Sequence, residues 1–156
     1  LQKCCTIPCA IEWGRKEAEK QAKREHAQAK KNLRDNDKPF QKKKAIALFN
    51  KYIRTVRDKD DPCISCQKHR KTYDAGHYRT RGAASQLTFD EDNCHKQCVW
   101  CNRHLSGNLT HYRIHLIEKI GIERVEALEN NNTPKKWTIE EYKEIQLIYR
   151  EKINGN

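Results

Sequence analysis

The sequence predicts a small α+β fold: a strand, strand, helix core stapled by zinc, with basic helices before it and further helices after it. Three observations predict it. The pairs Cys63/Cys66 and Cys98/Cys101 have the Cys-x2-Cys spacing of a closed tetrahedral zinc set. The 31 residues between Cys66 and Cys98 suffice for two strands and a turn, but not for an independent domain. On both flanks, apolar residues recur at three- and four-residue intervals. The chain accordingly divides into a basic arm with a remnant Cys finger at 1–38, an amphipathic basic helix at 39–60, the zinc-stapled core at 61–110 and a helical region at 111–156.

Residues 12–34 are almost wholly Ala, Glu, Lys, Arg and Gln, good helix formers with little apolar surface to bury, which predicts a solvated helix or a tether. Asp35-Asn36-Asp37 and Pro39 break that segment. A second helix follows, with Ala45, Leu48, Phe49, Tyr52, Ile53 and Val56 as its core stripe and Lys42, Lys43, Lys44, Lys51, Arg54 and Arg57 expected to point outward. In the centre, Lys71 to Thr80 reads as a strand, Gly82 to Ser85 as a loop, Leu87-Thr88-Phe89 as the returning strand and Asp90 to Asn93 as a turn. A helix is expected from Cys98 or Val99, carrying Asn102. Ile114, Leu116, Ile117 and Ile120 predict a helix stopped by Gly121, and Val125 and Leu128 another. Thr138-Ile139-Glu140-Glu141 is a capping box that opens a last helix with Tyr142, Ile145, Leu147, Ile148 and Tyr149. These apolar faces fit a monomer core or a homodimer interface equally well.

The charge balance narrows the partner. Of 156 residues, 32 are Lys or Arg and 21 Asp or Glu, for a net charge of +11 and a pI near 9.3. The excess lies in residues 1–60, with 17 basic and 8 acidic side chains, against 7 and 5 in 61–110 and 8 and 8 in 111–156. Such an excess favours a polyanion, nucleic acid first. No apolar run approaches the roughly 18 residues of a spanning helix and none resembles a secretory segment, so no membrane partner and a cytoplasmic location are expected. The same absence favours metal ligation over disulfides for the eight Cys. The chain starts at Leu1 and contains no Met, so residues are expected to precede it.

Four thiolates close a structural zinc site, whose use is to hold the chain between them. What they hold is His77, in Tyr73-Asp74-Ala75-Gly76-His77-Tyr78, and Asn102, directly after Cys101. A His aimed at water and a carboxamide aimed at a hard metal ion are minimal parts for phosphodiester hydrolysis. A His77 merely satisfied by a neighbouring backbone group is the weaker reading, because the Cys pairs flank it and Asn102 accompanies it. His111 and His115, at i and i+4, could clamp a metal, but read better as surface and packing residues. Trp100 reads as a core anchor rather than a base-stacking platform. Cys5 and Cys9, with Cys4 nearby, resemble half of a second zinc site, and Cys94 has no evident partner.

The run Asp74-Ala75-Gly76-His77-Tyr78-Arg79-Thr80-Arg81-Gly82-Ala83-Ala84, then His95-Lys96-Gln97-Cys98-Val99-Trp100-Cys101-Asn102 and Ser106-Gly107-Asn108-Leu109, strongly resembles the lambdoid phage NinG/Rap family. The resemblance implies a recombination endonuclease of the host cytoplasm that cuts branched DNA such as Holliday junctions and D-loops. As implied partners it adds a second copy of the chain and host or phage recombination proteins. More distantly, the arrangement is similar to the ββα-metal (HNH) nucleases and phage endonuclease VII. That likeness implies His77 as general base, Asn93 as the residue orienting it, and Asn102 as a ligand of catalytic Mg2+ or Mn2+. Many HNH sites have an Asp immediately before the His. Gly76 stands there here, so Asp74 is the expected substitute, with His95, His104 and His111 as rivals. Arg79, Arg81, Lys96 and Arg103 are the expected phosphate contacts. A generic duplex-cutting HNH endonuclease and a non-catalytic zinc-dependent nucleic-acid-binding module are the alternatives.

Overall fold

A computed structural model describes residues 6–155 and divides the chain into two compact units, residues 1–41 and 42–156. The first contains helix α1 (Ile7–Asp35) and the opening of α2 (Lys38–Tyr52). The Thr6 hydroxyl caps α1 by accepting from the Cys9 backbone N–H at 3.4 Å, and α1 buries no side chain. Its surface is laced by ion pairs one turn apart, Glu12 with Lys16 at 2.7 Å and Glu19 with Lys23 at 2.6 Å. Pairs this exposed contribute only a few tenths of a kcal/mol each, roughly 0.3–0.5. Propensity, not burial, makes this helix.

The second unit is built on a two-stranded antiparallel hairpin, β1 (Tyr73–His77) with β2 (Cys94–Cys98), in the register Tyr73 to Cys98, Asp74 to Gln97, Ala75 to Lys96, Gly76 to His95 and His77 to Cys94. Side chains alternate across a strand. Ala75 and Cys94 meet a cluster formed by Ala45, Phe49, Ile53, Phe89, Tyr142 and Tyr149. On the other face, Tyr112 donates to the Gly76 carbonyl at 2.9 Å and belongs to a cluster with Ile64, Ala84, Leu87, Leu116, Val125 and Leu128. The hairpin is therefore the layer between two cores. Phe49 anchors the first, edge-on to Phe89 and Tyr149 at 5.7 and 5.0 Å.

Helices α3 (Leu109–Ile120), α4 (Ile122–Asn130) and α5 (Ile139–Asn154) close these cores. Gly121 separates α3 from α4, and Thr138 and Glu141 form the reciprocal capping box at α5. No helix of the described residues is long and apolar enough to cross a membrane.

Two local expectations fail. The returning strand is Cys94–Cys98 rather than Leu87-Thr88-Phe89, which instead leave a short 3-10 turn (Ser85–Leu87) to place Leu87 and Phe89 in the two cores. The Asp90 carboxylate accepts from the Asp92 and Asn93 backbone N–H groups, so the turn falls just before β2. The expected helix after Cys98 does form from Val99 and carries Asn102, as a single π-helical turn, Trp100–His104. A second π turn, Ile53–Arg57, ends α2 and redirects its cations. Arg54 donates to the Tyr73 carbonyl, and Arg57 to the Glu91 and Cys94 carbonyls, so neither points outward as expected, whereas Lys42, Lys43, Lys44 and Lys51 are exposed.

Candidate active site

Cys63, Cys66, Cys98 and Cys101 converge, with all four sulfurs within 4.8 Å of one another and Cys66 Sγ 3.9 Å from Cys98 Sγ. A tetrahedron with Zn–S bonds of about 2.3 Å has edges of about 3.8 Å, so the spacing fits a Zn2+ ion. Burial raises the Cys63 and Cys101 thiols above their ordinary value, and a cation at the centre reverses that preference by binding thiolate. Gln97 braces the centre from β2. Its amide donates to Ser65 Oγ at 2.6 Å, between the first pair of Cys, and to the Gly107 carbonyl at 2.5 Å, just beyond the second. Cys9 lies in the first turn of α1, while Cys4 and Cys5 lie outside the described residues, so the half-site is not assembled among them.

The turn that completes the zinc set carries Asn102 to Asp74. Asn102 Nδ2 donates to Asp74 Oδ2 at 2.9 Å, and Arg103 grips the same carboxylate through Nε and Nη2, both at 2.8 Å. The Arg103 hydrogen bonds, then that from Asn102, hold the Asp74 carboxyl below the usual range, outweighing its partial burial. Turning the Asn102 amide over would set two oxygens side by side, the donor type that Mg2+ and Mn2+ take from protein before filling their shell with water and phosphate. As placed, Arg103 holds both Asp74 oxygens, so the pair could meet such a cation only with Arg103 displaced.

His77, at the end of β1, lies three residues from Asp74 and so on the opposite face of the strand. Its Nε2 is 3.0 Å from the Thr88 carbonyl, which can only accept, so Nε2 carries the proton. Nδ1 then offers its lone pair to Cys94 Sγ at 3.7 Å, the partner that the sequence left unidentified. Burial lowers the His77 pKa to about 4, aided by the nearby Arg81 charge and opposed by the Thr88 and Ala75 backbone, so the ring is neutral at pH 7. Burial also pushes the Cys94 thiol far up, keeping its S–H. The expected convergence of His77 and Asn102 on one side of the sheet is therefore absent from this arrangement.

The remaining expected residues divide. Asn93 is fully buried and ties the loop backbone, accepting from the Arg79 N–H and donating to the Arg79 and Leu87 carbonyls, with no bond to the His77 ring. Arg79 caps α4 through the Leu128, Glu129 and Asn131 carbonyls rather than facing outward. Lys96 is also withdrawn, its Nζ on the Lys59 carbonyl at 2.7 Å and over the Tyr73 ring. Arg81 and Arg103 are exposed. Among the rival ligands, His95 is buried against Tyr112, His104 stacks on Trp100, and His111 pairs with Asn108, with His115 on the His111 carbonyl. Gly76 cannot be replaced by a ligand: a Cβ there would lie 2.1 Å from Gln97 Oε1 and 2.9 Å from Gln97 Cβ. Trp100 is 59 % exposed, not the expected core anchor.

A family model described as bacteriophage lambda NinG protein matches residues 2–155. The ninG proteins of Escherichia phage lambda and Salmonella phage P22 are each 52 % identical over 112 residues, covering 71 % of this chain and 54 % and 55 % of their own length. That of Escherichia phage 933W is 51 % identical over 112 residues, with 71 % and 55 % covered. The chain thus spans about half the length of the curated relatives it matches. No solved structure matches it.

Proposed function

The chain belongs to the family of the bacteriophage lambda NinG protein, and from this and its site we propose that it is a metal-dependent endonuclease that hydrolyses phosphodiesters in branched DNA, Holliday junctions among them, during phage recombination. The observation that carries the proposal is the Asp74–Asn102 pair, held at 2.9 Å on the turn that follows the last zinc ligand. A structural zinc has no open position for substrate, so the adjacent oxygen donors are where a second, hard cation belongs.

In this reading, Mg2+ or Mn2+, when bound, stabilises negative charge on the scissile phosphate. Asp74 and Asn102 hold that ion. Arg103, released from Asp74, turns its guanidinium to a phosphate oxygen, and Arg81 adds a second cation. His77 would accept the proton of the attacking water only after a rearrangement that frees Nδ1 from Cys94 and brings the ring to the face of β1 that carries Asp74. A two-fold dimer would supply the paired cuts that a four-way junction requires.

One observation favours a different reading, a zinc-stabilised nucleic-acid-binding module without catalysis. Both ring nitrogens of His77 face groups of the protein itself. Cleavage of a labelled four-way junction beside a linear duplex of the same sequence, with Mg2+ or Mn2+, separates the two. The endonuclease cuts the junction preferentially and His77→Ala does not. Tight binding by both proteins without cutting leaves the binding module.

A further inference from the structure

Trp100 is 59 % exposed although Cys98 and Cys101, on either side of it, are buried in the four-Cys centre. The indole is therefore open to solvent on the turn that links two of the four Cys, and its face is available to a partner. Its ring stacks on His104, with centroids 4.9 Å apart and planes 29° apart. Beside it opens a cavity of about 390 Å³ lined by Trp100, Val99, Cys98, Thr72, Lys71 and Arg70. Arg70 and Lys71 are exposed, and among the described residues neither has a carboxylate partner. The same short turn carries Asn102, so this surface and the Asp74–Asn102 pair share one scaffold.

We propose that Trp100, backed by His104, is a stacking platform for an unpaired nucleobase at the branch point of DNA, with Arg70 and Lys71 holding the adjacent phosphates. The proposal rests on the endonuclease reading and specifies how its substrate is chosen. Bases inside a duplex are already stacked on both faces, and extracting one costs free energy. A base at a junction or in a single strand is released at little cost and finds a π surface in the indole. A cationic rim suits the phosphates of DNA and not an apolar protein partner. Selection then follows unstacking rather than base-edge contacts, and so is independent of sequence.

The test is binding of a four-way junction carrying 2-aminopurine at the branch point, and of the matching linear duplex, without Mg2+ or Mn2+ so that nothing is cut. Wild type, Trp100→Phe and Trp100→Leu are compared, each checked for one bound zinc per chain. The expected result is a fluorescence change with wild type, a rise of about tenfold in junction Kd for Trp100→Leu, the order of one lost base stack, and near-normal affinity for Trp100→Phe. Duplex affinity should be the same for all three. Equal junction affinity in Trp100→Leu, an equal loss on the duplex, or an equal loss in Trp100→Phe would overturn the platform alone. A wild-type protein that binds no DNA would overturn the endonuclease reading and the platform with it.

Discussion

Asn102 and Asp74, 28 residues apart in the chain, meet at 2.9 Å because one immediately follows Cys101 of the four-Cys cluster and the other lies near the start of β1, which pairs with the strand that supplies Cys98. If this pair holds the catalytic cation, Asp74→Ala and Asn102→Ala each lower junction cleavage by about 10²-fold or more, the order seen on losing one electrostatic stabiliser. Junction affinity and zinc content stay near wild type. Cleavage kinetics, with binding measured in parallel, check this, and a variant that cuts at the wild-type rate excludes its residue from the site.

For His77 the pH dependence is the informative measurement. Burial holds its pKa near 4, below the ordinary 6.5, so the neutral, proton-accepting form is fully populated above about pH 5. The single-turnover rate should therefore show no fall attributable to this base between pH 8 and 6, and His77→Ala should lose about 10²- to 10⁴-fold at every pH in that range. A rate that drops with an apparent pKa near 6.5 would mean that the reactive ring is solvated, not in the half-buried position it takes beside Thr88 and Cys94.

Zinc removal should dismantle more than the metal centre. Gln97, Ser65 and Gly107 are hydrogen-bonded across it, and β2 supplies a ligand while lying between both cores. Chelation, or Cys98→Ser, is expected to abolish cooperative unfolding of residues 42–156, since structural zinc binding is itself folding free energy, roughly 10–16 kcal/mol in small zinc modules. Helix α1, which buries nothing, should keep its circular dichroism signal. Thermal melts with and without chelator read the two effects separately.

The convergence of the four Cys and helices α2 to α5 were legible because they depend on local patterns: Cys spacing, apolar periodicity and a capping box. Strand β2 was not. Cys94-His95-Lys96-Gln97-Cys98 has no β-branched residue and no apolar alternation, yet all five are buried: Cys98 joins the four-Cys cluster, Tyr112 meets His95 and Asp58 accepts from the Lys96 backbone N–H. Missing β2 hid the pairing of His77 with Cys94, which follows at once from the register. It also hid why Gly76 precedes His77, since Gln97 fills the space that any side chain there would need. Arg79 and Lys96 looked like phosphate contacts by charge alone, but their partners are backbone carbonyls more than 30 residues away, for which no local pattern exists.

Asp58 is the clearest such long-range partner and gives a stability prediction independent of catalysis. Its carboxylate, 2 % exposed, receives Arg57 at 2.8 Å, Lys119 at 3.1 Å and the Lys96 backbone N–H at 2.9 Å. Burial alone would raise its pKa. The Arg57 hydrogen bond and charge, the Lys96 N–H and the Lys119 charge together outweigh it and bring the value down to about 2, from 3.8. Asp58→Asn leaves Arg57 and Lys119 facing an uncharged amide in a buried site and should cost about 3–5 kcal/mol at pH 7. A group depressed in the folded state stabilises above its unfolded pKa, so the difference between wild type and Asp58→Asn should be constant above about pH 5. It should shrink as pH falls through 3.8 towards 2, where the unfolded chain binds the proton first. Denaturant melts of both proteins across this range read that difference, in which acid loss of zinc, common to both, cancels. A difference that stays constant down to pH 2 would show that Asp58 acts through shape rather than charge.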